Sequence, residues 1–556
     1  MNKRRTSTDG VFLKDKRMSE LKKSRRKART APQIERLENR QMFSVSCWVP
    51  RHMPNAIVVQ SNHEADKVNV SQVGGLIQII DGTTNQKAEN CPYYWKHNHD
   101  RIYFYGGGGD DSFVSTIRDI AIVAYGQDGD DYIRGSEVAD YLDGGEGNDI
   151  IIGLNGSDYL HGQGGDDTIY GGSGDDRIYG GFGNDRIRGS YGSDYIYGHS
   201  GKDELYGDAG DDFVYGGHGD DHLYGGSGID LLHGERGNDT LVSIDSRTSD
   251  RLSGGSGYDS FWTDAGGWFR FPDRISDVSS YEQAYSVHRV SRFANGADKT
   301  LNGDRIADPT DGQNYQNFSR RPLFAEQGPT SDDIAQGQLG DCWLMAGLGA
   351  TAHASPDAIK QAIVSLGDGT YAVELDDKYY RVDADLPVAS DGTLQYAELG
   401  VDNSLWVALV EKAYALHRGN EETYASLHGG FSSTVFDTIG ASAEVSRSFT
   451  NSSQALRHIE TELNAGKAVV VNINSPEAGC PCLGNHAYIV ERVNYATQTF
   501  WGHTFEVPVS VVLRNPWGID GTGQDGNNDG LVTVTGEQLV KSMYSGDFGI
   551  QSATIA

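Results

Sequence analysis

Long apolar runs are missing from this chain of 556 residues: no stretch of about 18 occurs, which excludes a membrane-spanning helix. Cysteine is scarce as well. Five residues, Cys47, Cys91, Cys342, Cys480 and Cys482, do not make a disulfide framework, although a Cys47–Cys91 bridge is open to the chain in an oxidising compartment. Positive charge is in deficit, with 47 Lys and Arg against 78 Asp and Glu, and the net −31 argues against nucleic acid or anionic membrane as the main partner. It favours cations instead. The apolar share of 37% is ordinary, and a chain this long needs several domains rather than one core. Glycine is the exception to all this scarcity, at 72 residues, a count that demands a repeat.

The repeat runs from Gly126 to Val242, thirteen nine-residue units in unbroken register with the consensus GGxGxDxUx. Aspartate holds the sixth position: Asp131, Asp140, Asp149, Asp158, Asp167, Asp176, Asp185, Asp194, Asp203, Asp212, Asp221, Asp230 and Asp239. An aliphatic residue holds the eighth, from Ile133 to Leu241. Flanking copies begin at Gly106, which brings in Asp111, and at Gly254. Glycines permit tight turns with inward carbonyls, and a column of carboxylates a few ångström apart repels severely unless hard cations sit among it. A flexible glycine linker has no reason to keep an aliphatic residue in fixed phase. The pattern resembles the RTX nonapeptide repeat, which implies an all-β parallel roll binding Ca²⁺ over residues 106–262. All the aspartates above except Asp140, together with Asp111, are the expected ligands; Val138 replaces a glycine in the unit of Asp140, which weakens a site there.

Upstream, residues 1–45 are basic and lack the apolar stretch of an ordinary signal peptide. They read either as a solvated tail or as a targeting segment, and RLENRQMFSVS resembles an N-terminal signature of large exported bacterial proteins. An extracellular or cell-envelope location is therefore expected, with the cytoplasm as the alternative. Residues 46–105 carry short alternating strands (AIVVQ, KVNVSQ, LIQIID, RIYFYG) suited to capping a stack. Residues 263–321 lose the period; with Trp262, the aromatics Trp268, Phe269 and Phe271 read as a further cap before a linker.

The remaining segment, 322–556, carries the chemistry. In QGQLGDCWLMAGL, Gly340 and Asp341 are placed to turn the chain and cap a helix beginning at Cys342, where the positive helix end stabilises a thiolate. A lone Cys on an apolar helix is usually a core residue. Here His486, in GNHAYIVERV, and Asn515, in VSVVLRNPWG, follow in the order Cys, His, Asn, with His486 144 residues after Cys342. His486 is the expected base and acid, Asn515 the group that orients it, and Gln336 a side-chain oxyanion donor beside the Cys342 N–H. Trp517 is placed to shield the His–Asn hydrogen bond. The loop DGNNDG (525–530) opens like an EF-hand, but Gly536 stands where the twelfth-position glutamate belongs, so a solvated turn is expected.

QGQLGDCWL, LWVALVEKAY, NHAYIV and LRNPWG closely resemble four blocks of the calpain-type cysteine protease core, in the same order. The resemblance implies an α+β papain-like core in two subdomains that cleaves peptide bonds in proteins, with Gln336, Cys342, His486 and Asn515 at the oxyanion, nucleophile, base and orienting positions. His486 is preceded by Gly-Asn rather than directly by glycine, and no EF-hand region follows the core. The expectation is thus a calcium-dependent endopeptidase carried on a calcium-binding roll. Two other classes compete with it: a non-catalytic adhesive surface protein, and a Cys–His acyltransferase of transglutaminase type, in which an aspartate usually stands where this chain has Asn515.

Overall fold

The computed structural model describes residues 45–555 except for short stretches, chiefly 266–271, 298–305, 419–422, 518–529 and 544–548. The basic segment, Trp268, Phe269, Phe271 and nearly all of the DGNNDG loop lie outside the described residues.

Two nonapeptides make one coil of a parallel β-solenoid. Each strand pairs with the strand 18 residues on, Tyr132 with Ile150 and Ile133 with Ile151, so successive repeats alternate between two sheets of 12 and 14 strands. The eighth-position residues all point between the sheets and are fully buried, which makes one aliphatic column per sheet the whole interior. First-position glycines are needed for close approach: a Cβ on Gly126 would lie 2.0 Å from Asp131 Oδ2 and 2.4 Å from the Gly144 carbonyl oxygen.

The ladder extends past the repeats at both ends. Ala56–Gln60 pairs in parallel with the strand Arg101–Gly108, and the hairpin Lys67–Val73/Leu76–Asp81 closes the other sheet. A Cys47–Cys91 disulfide ties this end. At the far end Arg274–Ser276 and Val287–Val290 add the last strands, so part of the stretch between roll and core belongs to the roll.

The C-terminal domain mixes helix and sheet around two apolar clusters. One gathers the helices Cys342–Ala354 and Trp406–His417 with the sheet of Ile363–Ser365, Thr370–Leu375 and Lys378–Asp383. The other fills a six-stranded antiparallel sheet that includes Ala468–Ile473, His486–Phe500 and His503–Arg514, with helix Ser452–Asn464 against it. The segment Pro356–Gly367 reads as one helix by sequence, yet the helix ends at Ala362 and Ile363–Ser365 is a strand. Its β-branched Ile363 and Val364 pair across to Val373 and Ala372, and tertiary pairing overrides helix propensity.

Roll and core pack face to face. Tyr206, Tyr224, Trp262 and Val290 from the roll meet Val364, Leu366 and Ala372 from the core. Arg188 donates to the Gly367 carbonyl at 3.1 Å. Trp262, expected as a cap, is fully buried here and stacks on His288, 4.1 Å away, which in turn bonds Glu374 at 2.5 Å.

Candidate active site and calcium column

Cys342 opens a helix that runs to Ala354 and is buried from Trp343 to Ala352, because it lies inside the first apolar cluster, packed on the strands Ala468–Ile473 and His486–Phe500. Gly349 allows the contact: a Cβ there would meet Ile489 Cδ1 at 2.2 Å. That places the start of the helix against the start of the His486 strand. The Cys342 thiol accepts from the backbone N–H of Ala487, the residue after His486. Burial pushes the thiol above its ordinary value, and the Asp341 charge adds to this; the Ala487 N–H and the helix-terminal N–H groups pull it down. The helix end alone would predict a lowered thiol. Desolvation outweighs it in the resting site.

His486 Nε2 is 2.9 Å from Asn515 Oδ1. The acceptor oxygen makes Nε2 the protonated nitrogen and leaves Nδ1 as the base. Asn515 is fully buried, and its Oδ1 also accepts from Trp517 N–H at 3.1 Å. The Trp517 ring stands 5.0 Å from the imidazole, on the solvent side of the pair. Burial holds His486 below the usual histidine range, with Asn515 opposing. Asn485, the residue that replaces a glycine before the histidine, adopts a left-handed φ of 52°, which asparagine tolerates better than most residues.

Gln336 lies beside this group, its backbone N–H bonded to the Pro516 carbonyl at 2.8 Å. Its side-chain amide is engaged elsewhere. Nε2 donates to the Leu339 carbonyl at 2.5 Å and to Asp341 Oδ1 at 2.8 Å, while Oε1 is buried without a partner among the described residues. Asp341 occupies the N-cap position, but its side chain makes no cap hydrogen bond. The carboxylate faces inward to Gln336 and to Glu411, a residue with no functional signal in its linear surroundings.

In the roll, Oδ1 of each sixth-position aspartate but Asp140 accepts the N–H of the aspartate one coil earlier, as Asp149 Oδ1 does from Asp131 N–H at 2.7 Å; Asp140 Oδ1 accepts from Ile122 N–H. The second oxygen is different. Oδ2 of Asp111, Asp131, Asp149, Asp158, Asp167, Asp176, Asp185, Asp194, Asp203, Asp212, Asp221, Asp230 and Asp239 is buried with no hydrogen-bond partner among the described residues. Asp140 departs from the column because Ser136 N–H and hydroxyl both bond its carboxylate. A row of orphaned carboxylate oxygens beside glycine carbonyls suits Ca²⁺, a hard cation that prefers oxygen ligands.

Residues 310–527 match the family model described as calpain family cysteine protease. The C-terminal domain is calpain-like. Six segments between residues 125 and 266 match the RTX calcium-binding nonapeptide repeat. Similar proteins include the calpain-1 catalytic subunit of Bos taurus, 31% identical over 254 residues, 41% of this chain and 34% of that protein. Calpain-9 of Homo sapiens is 30% identical over 218 residues, 36% of this chain and 30% of its own length. The chain therefore spans about a third of the length of the curated relatives it matches. Among the described residues no helix is long and apolar enough to cross a membrane.

Proposed function

We propose that this chain is an exported, calcium-dependent cysteine endopeptidase acting through Cys342, His486 and Asn515. The observation that carries this reading is the approach of the Cys342 thiol to the residue following His486, with His486 Nε2 committed to Asn515. His486 Nδ1 takes the thiol proton as Cys342 attacks the substrate carbonyl, and the imidazolium then protonates the leaving amine. Water releases the acyl group from sulfur with His486 again as base. The Cys342 N–H stands at the helix start to receive the oxyanion, and Gln336 joins it once its amide is released from Asp341. The thirteen aspartates with orphaned oxygens hold Ca²⁺, which neutralises their column and orders the roll on which the core rests. Export is supported by the basic segment before residue 45 and by the Cys47–Cys91 disulfide, a bond that persists in oxidising compartments.

Incubating the full chain with casein, Ca²⁺ and a labelled primary amine tests the assignment. Cleavage without amine incorporation is expected. Incorporation would assign an acyltransferase, and neither product would assign a binding protein.

A further inference from the structure

Beside the candidate nucleophile, two buried carboxyl groups meet. Asp341 precedes Cys342 and is 0% exposed, and Glu411, from the helix Trp406–His417, is 2% exposed. They lie within hydrogen-bond reach of each other. Asp341 Oδ1 accepts from Gln336 Nε2 at 2.8 Å, the Asp341 carboxylate also takes its own backbone N–H, and Glu411 Oε2 accepts from Ala397 N–H at 2.9 Å. The two oxygens left over, Asp341 Oδ2 and Glu411 Oε1, have no other donor among the described residues. Two carboxylates buried in contact cannot both ionise, so a proton sits between them.

We propose that Glu411 is a positioning residue for the thiol chemistry: it holds the one proton of this pair, donates it to Asp341, and thereby keeps Asp341 as a single fixed anion that anchors Gln336 and sits beside Cys342. The inference rests on the cysteine-protease reading for its catalytic consequence, though not for its effect on the thiol.

The surroundings agree on where the proton resides. Burial and then the Asp341 charge raise Glu411 well above the usual carboxylate range, while Asp341 is pushed up to about 6 by burial, against the hydrogen bonds from Glu411 and Gln336. The groups facing the pair are Gln336 and Cys342 on the nucleophile side, His428 against Gly340, and Tyr396 and Tyr424 beside Glu411. Lys412, the next residue of the helix, is turned away to Asp308 and Asp383 at 2.5 and 2.6 Å and offers no neutralisation. A second negative charge here would loosen the Gln336 anchor and push the thiol further from its reactive form, since the Asp341 charge already opposes thiolate formation.

The test uses the calcium-loaded full chain and two readouts. The first is the pH dependence of iodoacetamide alkylation at Cys342, followed by peptide mass so that Cys480 and Cys482 do not interfere. Asp341→Asn removes the anion and is expected to lower the midpoint, raising alkylation at neutral pH about threefold or more, half a pH unit being a factor of three. Glu411→Gln keeps a donor to Asp341 and is expected to leave the midpoint where it is. The second readout is casein cleavage. Glu411→Leu is expected to lower kcat about tenfold or more with KM little changed, and Glu411→Gln to recover it to within about threefold. An unchanged midpoint in Asp341→Asn, a fully active Glu411→Leu, or a Gln variant as impaired as the Leu variant would overturn the proposal. Should Glu411→Leu fail to fold by circular dichroism, the two isosteric variants decide it. Wild-type protein that alkylates at Cys342 yet cleaves nothing would refute the protease reading alone, and the alkylation midpoints would still judge the pair.

Discussion

Replacing Cys342 by alanine is expected to abolish casein cleavage while leaving circular dichroism unchanged, because the sulfur is the proposed nucleophile and its half-buried site tolerates a methyl group. Gln336→Ala is a subtler case. Losing an oxyanion donor costs about 10²–10³ in kcat. In the resting site the Gln336 amide is held by Leu339 and Asp341, and part of its binding energy is used there. A fall in kcat of about tenfold to a hundredfold, below the usual range, is therefore expected, and unchanged kcat would remove Gln336 from the oxyanion site. Cys342, His486 and Asn515 are legible in the sequence because their neighbours, a glycine turn before a helix and two strand-like runs, report the local structure that carries them. The Asp341–Glu411 pair is not. Its two members are 70 residues apart, and nothing in a linear pattern distinguishes an inward-facing N-cap aspartate from one that caps its helix.

A single coil of the roll buries only two eighth-position aliphatic side chains, so hydrogen-bonded stacking and neutralisation of the aspartates are needed beside them to order it. The sign of the pH effect follows from the carboxyls. Without metal, burial raises Asp131 to about 6, Asp167 to about 7 and Asp158 and Asp203 to about 8, all above the usual range near 4. A folded value raised above the unfolded one gives stability that is full below pH 4 and lost as pH climbs through 6 to 8. Chelated protein should accordingly gain β-signal in circular dichroism on acidification from pH 8 to pH 4, and recover it at pH 8 only with Ca²⁺. A chelated roll that loses structure as pH falls would contradict the column of protonatable carboxyls. Periodicity announces this element from the sequence. It does not announce that Ser136 takes the Asp140 carboxylate, since a serine at the second position of a repeat looks like any other turn residue.

At the scale of the whole molecule, the roll and the core are joined by an apolar contact rather than by a tether. Val364, Leu366 and Ala372 of the core rest on Tyr206, Tyr224, Trp262 and Val290, and the two tyrosines stand on strands that directly follow Asp203 and Asp221, two of the aspartates proposed to hold calcium. Composition had suggested a polar linker here; the tertiary burial of Trp262 could not be read from a sequence in which an aromatic serves equally well as a cap. If Ca²⁺ orders the roll as proposed, metal is coupled to the core. When chelation disorders the roll, this face of the core becomes wet, and about 25 cal/mol per Å² of apolar contact is lost from the stability of a domain that binds no metal through these residues. Calorimetry of the full chain is expected to show the core transition at a lower temperature in EDTA than in Ca²⁺. A domain of roughly 200 residues shifts about 2–4 °C per kcal/mol lost. Leu366→Asp, which sets a charge in the contact, is expected to lower the core transition in Ca²⁺ and to shrink the further effect of EDTA, because the coupling is then already broken. If chelation moved the core equally in wild type and in Leu366→Asp, calcium would act on the core by another route and the docked face would be only a resting place.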